Sequence, residues 1–255
     1  MALPKIYDTP EQAIADIPDG ATIMTSGFGG AGGRPLNLIA ALVDKGVKDI
    51  TLINHVYGLS MGIPGVVKAV DMLGLHYPAE YEDTWLLFKN GQVKKWIGSV
   101  ALVYGKLVVG QMRDWVEGRM EIEIVPQGTL AERIRAGSAG IKGFYTTVSA
   151  GTSLAEDKET RIIDGEECVL EYPLRADYAL IRAYKADKLG NLIYRGTSRS
   201  FGPLMATAAD ATIVEVDEIV EIGELDPEAI VTPGIYVDRM VKVPKPWWPY
   251  NYNPL

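Results

Sequence analysis

Between Ala21 and Asn54 the chain reads as an apolar strand over Ala21–Ser26, a loop "TSGFGGAGGRPLN", an amphipathic helix over Pro35–Lys45 and a second strand over Asp49–Asn54. Two strands joined through a helix pair in parallel, with a right-handed crossover. That one unit commits this part of the chain to an α/β architecture. The loop narrows it further, because Gly27, Gly29, Gly30, Gly32 and Gly33 fall within seven residues. Glycine costs conformational entropy on folding, so such density serves a backbone path that side chains would block. Two readings stay open: a glycine-lined helix N-terminus that closes on an anion, or a tight turn that seats the helix on the sheet.

The familiar anion loops fit poorly. Gly27-Phe28-Gly29-Gly30-Ala31-Gly32 matches the spacing G-x-G-x-x-G, but a chain with 27 glycines produces that spacing by chance. A dinucleotide site also needs an acidic residue at the end of the second strand. Asn54 and His55 stand there instead, and no Gly-Lys-Ser/Thr follows to make a nucleotide P-loop. A net charge of −8 speaks against nucleic acid as a partner.

The remaining text continues the α/β theme. A capped helix is expected over Asp8–Ile17 and a helix within "PGVVKAVDML"; regular structure resumes at "QVKKWIGSV", with a helix around Gly110–Glu117. A strand in "MEIEIVP" and a helix in "TLAERIRAG" follow. That last helix is expected to stop at Gly137, with Arg133 and Arg135 in its last turns. "TRIIDGEECVLEYPLR" reads as a hairpin on an Asp-Gly turn, and "YALIRAYKADKLGNLIYRG" as a second hairpin or a strand with a long turn. "FGPLMATAAD" is read as a helix and "ATIVEVDEIVEIG" as further strands. The expected fold is an open, mostly parallel sheet with helices on both faces and late antiparallel hairpins. One domain over 1–242 is expected, with residues 243–255 as an extended tail rich in proline and aromatics. One cysteine, no secretory pattern at the N-terminus and no membrane-length apolar run give the expectation of a soluble cytoplasmic protein.

Three stretches resemble the α subunits of class I CoA-transferases: "DGATIMTSGFGGAGGRPLNLI", "EIEIVPQGTLAERIRAGSAGIKGFYT" and the block from Leu174 to Lys242. The resemblance covers residues about 8–55 and 87–242. It implies the CoA-transferase or sugar-phosphate isomerase-like fold. It also implies movement of CoA from an acyl-CoA to a free carboxylic acid of 3-oxoacid type. In that family a glutamate carried by the β subunit is the nucleophile: it attacks the thioester and becomes a glutamyl-CoA, splitting one hard transfer into easier halves. This chain carries no Glu-Asn-Gly motif. The resemblance therefore implies a β partner bearing the glutamate, commonly as an α2β2 assembly. CoA enters only as substrate, with no metal and no bound cofactor.

Residue by residue, the resemblance assigns Gly27, Phe28, Gly29, Gly30, Ala31, Gly32 and Gly33 to the CoA-binding loop. Ser26 replaces the first glycine of the family pair, and one extra residue precedes Pro35. Gln127 matches the glutamine at the active-site edge, where an amide can donate to the thioester oxyanion; capping the following helix is the plainer reading. Asn54 and His55 stand where the family has paired asparagines, with His55 as a hydrogen-bond donor or acid, or a packed histidine. Arg34 meets an anion or solvent. Residues 59–86, with His76, Tyr77, Tyr81 and Trp85, form an insertion serving as lid, acyl pocket or subunit interface. A CoA-transferase-like hydrolase and a non-catalytic ligand sensor on the same fold remain as alternatives.

Overall fold

The order of strands, not their number, creates the crevice of this molecule. A computed structural model describes residues 3–28, 32–62, 67–68, 71, 77, 81–100 and 117–243. Its strands are β1 (Lys5–Tyr7), β2 (Thr22–Thr25), β3 (Ile50–Ile53), β4 (Val93–Gly98), β5 (Glu121–Ile124), β6 (Phe144–Thr146), β7 (Thr160–Ile163), β8 (Glu166–Glu171), β9 (Ala176–Asp187), β10 (Leu192–Ile193), β11 (Ala209–Val220) and β12 (Arg239–Lys242). Its helices are α1 (Pro10–Ala13), α2 (Leu36–Lys45), α3 (Trp85–Lys89), α4 (Gln127–Ala139) and α5 (Gly202–Ala206). Gly29–Ala31, most of "PGVVKAVDML", His76, the expected helix from Gly110 and the tail beyond Val243 lie outside the described residues.

The main sheet runs β1-β12-β11-β9-β2-β3-β4-β5, all in parallel, with β10 antiparallel on β9. From β2 the chain proceeds outward through β3, β4 and β5, then returns to β9 on the other side of β2. The switch point therefore falls at β2 and β9, and open sheets of this kind receive ligands beyond the carboxyl ends of such strands.

Both faces of the sheet are covered. Ile23, Leu52, Trp96 and Leu180 point to one side and pack with Ile14, Leu38 and Leu42 and with Leu87 and Phe88 of α3. Met24, Ile53, Ile97 and Ile181, one residue on, point to the other side and meet Leu130, Ile134 and Met205. Period-two alternation inside parallel strands thus feeds two cores. A second sheet, β6-β8-β7, is antiparallel. Its Asp164-Gly165 turn has both residues at positive φ (51° and 85°), as the expected hairpin requires.

Three expectations need correction. The Asp8–Ile17 helix shrinks to α1, capped by the Thr9 side chain, and the chain leaves helical geometry at its C-cap Ile14 (φ −107°, ψ 5°). Gly137 does not end α4; the left-handed cap is Gly140, at φ 72°. Gly137 is instead a close-approach position, where a Cβ would collide with the Leu174 carbonyl. Arg133 consequently lies inside the helix, where its guanidinium donates to Tyr172 O (2.7 Å) and pairs with Glu123 (2.6 Å). "ATIVEVDEIVEIG" gives one long strand, β11, not several.

Candidate active site

The glycine loop is held from both ends. Gly27 has φ 122°, and any Cβ there would strike the Arg34 side chain. Gly33, at φ 79°, lies against the Ser198 carbonyl. Only glycine meets both demands at these two positions. The Phe28 N–H donates to Gly32 O (3.1 Å) across the loop. Ser26 Oγ donates to Gly33 O (2.6 Å) and accepts the Arg182 N–H (3.2 Å). The serine that departs from the family pattern is therefore the clamp of the loop.

The α2 N-terminus is not an open anion site. Its Asn37 and Leu38 amides donate to Glu215 Oε2 at 2.9 and 3.1 Å, and the Leu36 N–H donates to Arg34 O (3.0 Å). The anion the helix end favours is the protein's own carboxylate. Glu215 is fully buried and pairs with Arg182 Nη1 (2.6 Å), whose other arm reaches Asp217. Burial pushes the Glu215 carboxyl upward, opposed by Arg182 and the Leu38 amide.

Arg34 is neither solvated nor free to greet a substrate. It is buried, and its Nε lies 2.8 Å from Asp83 Oδ2. Asp83 also accepts the Leu59 amide (2.6 Å) and the Tyr81 hydroxyl (3.3 Å), so this ion pair fastens segment 59–86 to the loop. Tyr81 is buried, Tyr77 packs on it at 4.6 Å, and Trp85 opens α3 beside Tyr57. In the described part of the segment, Ser60, Tyr81, Asp83 and Thr84 are buried, whereas Gly62, Lys68 and Asp71 are exposed.

Beyond β3 the two carried-over side chains part company. Asn54 turns inward: Oδ1 accepts the Trp96 indole N–H (2.6 Å), and Nδ2 donates to Thr84 Oγ1 (3.3 Å). It positions the strand end and does not face the mouth. His55 stacks on Phe28, with centroids 4.0 Å apart and planes 14° apart, and Phe201 lies 5.9 Å further on. The ring is 5% exposed, yet neither nitrogen has a hydrogen-bond partner. Leaving such a group dry and unpaired costs roughly 1–3 kcal/mol. Burial first, then the Arg34 charge, pushes its pKa down to about 4, while hydrogen-bonding interaction with the Gln127 side chain pulls the other way. His55 is thus a neutral imidazole at physiological pH.

Gln127 occupies the first turn of α4, just past the end of β5, and it is exposed. The helix cap is Pro126, without any side-chain cap bond, so the plainer reading of Gln127 does not hold. Phe28, His55 and Gln127 therefore meet at one mouth, beyond the carboxyl ends of β2, β3 and β5. Sequence reasoning missed Arg182, Glu215, Asp83 and Phe201 as parts of this region. Charges inside apolar runs, Arg182 in "ALIRAY" and Glu215 with Asp217 in "TIVEVD", were the available signal for the first two.

The Coenzyme A transferase family model matches residues 7–243. The chain belongs to this family. It is 43% identical to the A-type subunit of the 3-oxoadipate CoA-transferase of Pseudomonas putida, over 94% of each chain. It is 44% identical to the A-type subunit of a probable succinyl-CoA:3-ketoacid coenzyme A transferase of Bacillus subtilis, over 93% of this chain and 89% of that one. In fold it matches an acyl-CoA transferase of Escherichia coli O157:H7 with a TM-score of 0.77 at 18% identity, over 98% of this chain and 51% of that chain. The expected family and the mostly parallel fold are both borne out.

Proposed function

We propose that the chain is the α subunit of a heteromeric CoA-transferase that moves CoA between an acyl-CoA and a short 3-oxoacid. The observation that carries this reading is its end-to-end similarity to one named subunit of such an enzyme, over 94% of each chain. The partner β subunit supplies a glutamate. Its carboxylate oxygen attacks the thioester carbonyl and the CoA thiolate leaves, forming an acyl-glutamyl anhydride. The thiolate then attacks the glutamyl carbonyl and releases the acyl group as a free carboxylate. The acceptor acid reverses these two steps. Gln127 donates to the thioester oxygen as it becomes an oxyanion, a role worth roughly 3–4 kcal/mol where one donor is removed. The loop Gly27–Gly33 lies along CoA. The pair assembles as α2β2 in the cytoplasm.

Charge pairing supports a nucleophile from elsewhere. Among the described residues, Asp83, Glu215 and Asp217, the carboxylates packed around the loop, are each engaged by an arginine. The test is CoA exchange between succinyl-CoA and acetoacetate, with the chain alone and co-expressed with the partner. Exchange only in the complex is expected. Transfer by the isolated chain overturns the reading.

A further inference from the structure

His55 is a buried, uncharged side chain neither of whose ring nitrogens has a partner at hydrogen-bond geometry, although the Gln127 side chain lies near enough to favour its charged form. Phe28 and Phe201 flank the ring in an apolar stack, and the Gln127 side chain lies close enough to act on its protonation. Native interiors rarely leave such atoms unpaired, and those that do usually await a ligand or a water. The pattern extends beyond this ring. Thr25 Oγ1, Ser99 Oγ, Thr129 Oγ1 and Ser200 Oγ are also buried without partners. Thr25 ends β2, Ser99 follows β4, Thr129 follows Gln127 and Ser200 adjoins Gly33. Among the described residues, two further such atoms, Gln92 Oε1 and Ser149 Oγ, lie away from this end of the sheet, so the grouping is a partial one.

We infer that His55 is a specificity-determining residue that donates its imidazole N–H to the 3-oxo carbonyl of the acyl group, while Gln127 takes the thioester carbonyl. The inference rests on the CoA-transferase reading and names the feature of the acyl group that the site selects. A 3-oxo thioester carries two neutral carbonyl oxygens one carbon apart, and two adjacent neutral donors match them. The aromatic stack suits the short apolar remainder of such a chain. A carboxylate fits less well, because the cation whose field reaches the ring, Arg34, is already paired with Asp83. A plain acyl chain leaves the imidazole unpaired, and sites built to bond an oxygen reject analogues lacking it.

The test uses the complex with its partner subunit, succinyl-CoA as donor, and two acceptors of equal length, acetoacetate and butyrate. His55→Phe retains the stack and removes the polar edge. The expected result is a fall of about 10–100-fold in kcat/KM for acetoacetate with butyrate changed less than about threefold. A ratio of the two acids unchanged by the substitution, with transfer intact, overturns this inference alone. Failure of the wild-type complex to exchange CoA with any short-chain acid overturns the transferase reading beneath it. A second measurement guards against a variant that does not assemble. With only this chain isotope-labelled, the wild-type complex contributes two histidine ring signals. Acetoacetyl-CoA shifts one of them and butyryl-CoA does not; equal responses to both count against the proposal.

Discussion

Two polar regions lie at the carboxyl ends of the same sheet, and they are built on opposite rules. Beneath α2, the carboxylate of Glu215, the guanidinium of Arg182, the Ser26 hydroxyl and the Asn37 and Leu38 amides close a network. At the mouth, past the ends of β3 and β5, the His55 nitrogens have no partner at hydrogen-bond geometry and Gln127 is exposed. The first region spends its polar groups on itself and fixes the glycine loop. The second withholds them. A polar cluster near a glycine-rich loop is therefore not a ligand site by position alone; its degree of satisfaction distinguishes scaffold from mouth.

The largest test of that contrast is Glu215→Ala, which leaves Arg182 buried with one carboxylate lost and strips the α2 amides of their acceptor. Removing one partner of a buried pair costs about 3–5 kcal/mol, and about 2–4 °C of Tm accompanies each kcal/mol in a chain this size. A Tm drop of roughly 10 °C or more is expected by calorimetry; an unchanged Tm would dissolve the distinction. Gln127→Ala is its mirror image. In the complex, kcat/KM should fall about 10²–10³-fold, with Tm moving less than about 2 °C because the side chain caps nothing. Equal loss of stability and activity would place Gln127 in the scaffold. Ser26→Ala is intermediate, since the clamp joins the two regions. It leaves the Arg182 amide and the Gly33 carbonyl unpaired, for roughly 1–3 kcal/mol, and the KM for acyl-CoA should rise with the loosened loop. A Tm drop without any KM change would mean that the loop does not report to the mouth.

How much of this was legible beforehand depended on how local the cause was. The strand–loop–helix–strand unit, the Asp164-Gly165 hairpin and the buried faces follow from period and turn chemistry within a few residues. The role of Gly137 did not, because what makes it glycine is the Leu174 carbonyl, 37 residues along the chain. Arg34 and Asp83 are equally remote, and neither carries a local sign of its partner. The α2 N-terminus stayed open between two readings for the same reason. Glycines before a helix do attract an anion, but the sequence could not say that Glu215, 178 residues from Asn37, had already arrived. Of the site itself, family resemblance brought Gln127 and His55 to one place, yet only the packed structure shows His55 stacked on Phe28 and Asn54 engaged by Trp96 and Thr84.

The smallest expected effect concerns pH and isolates the mouth from everything else. His55 has a folded pKa of about 4, against about 6.5 in an unfolded chain. Between those values the unfolded chain binds a proton that the folded one does not. Stability contributed by this group is therefore complete above pH 6.5 and declines as pH falls toward 4, by at most about 1.4 kcal/mol per pH unit. Other groups titrate in the same range: Glu215 and Asp217 are pushed up by burial, whereas Asp16 is held down by Arg239. Their contributions are common to wild type and variant and cancel in the difference. His55→Phe should thus match or exceed the wild-type Tm, and its advantage should widen steadily from pH 6.5 to pH 4. A constant gap across that range would mean the imidazole is protonated or hydrated in the folded chain. The contrast between a satisfied scaffold and an unsatisfied mouth would then lose its strongest member.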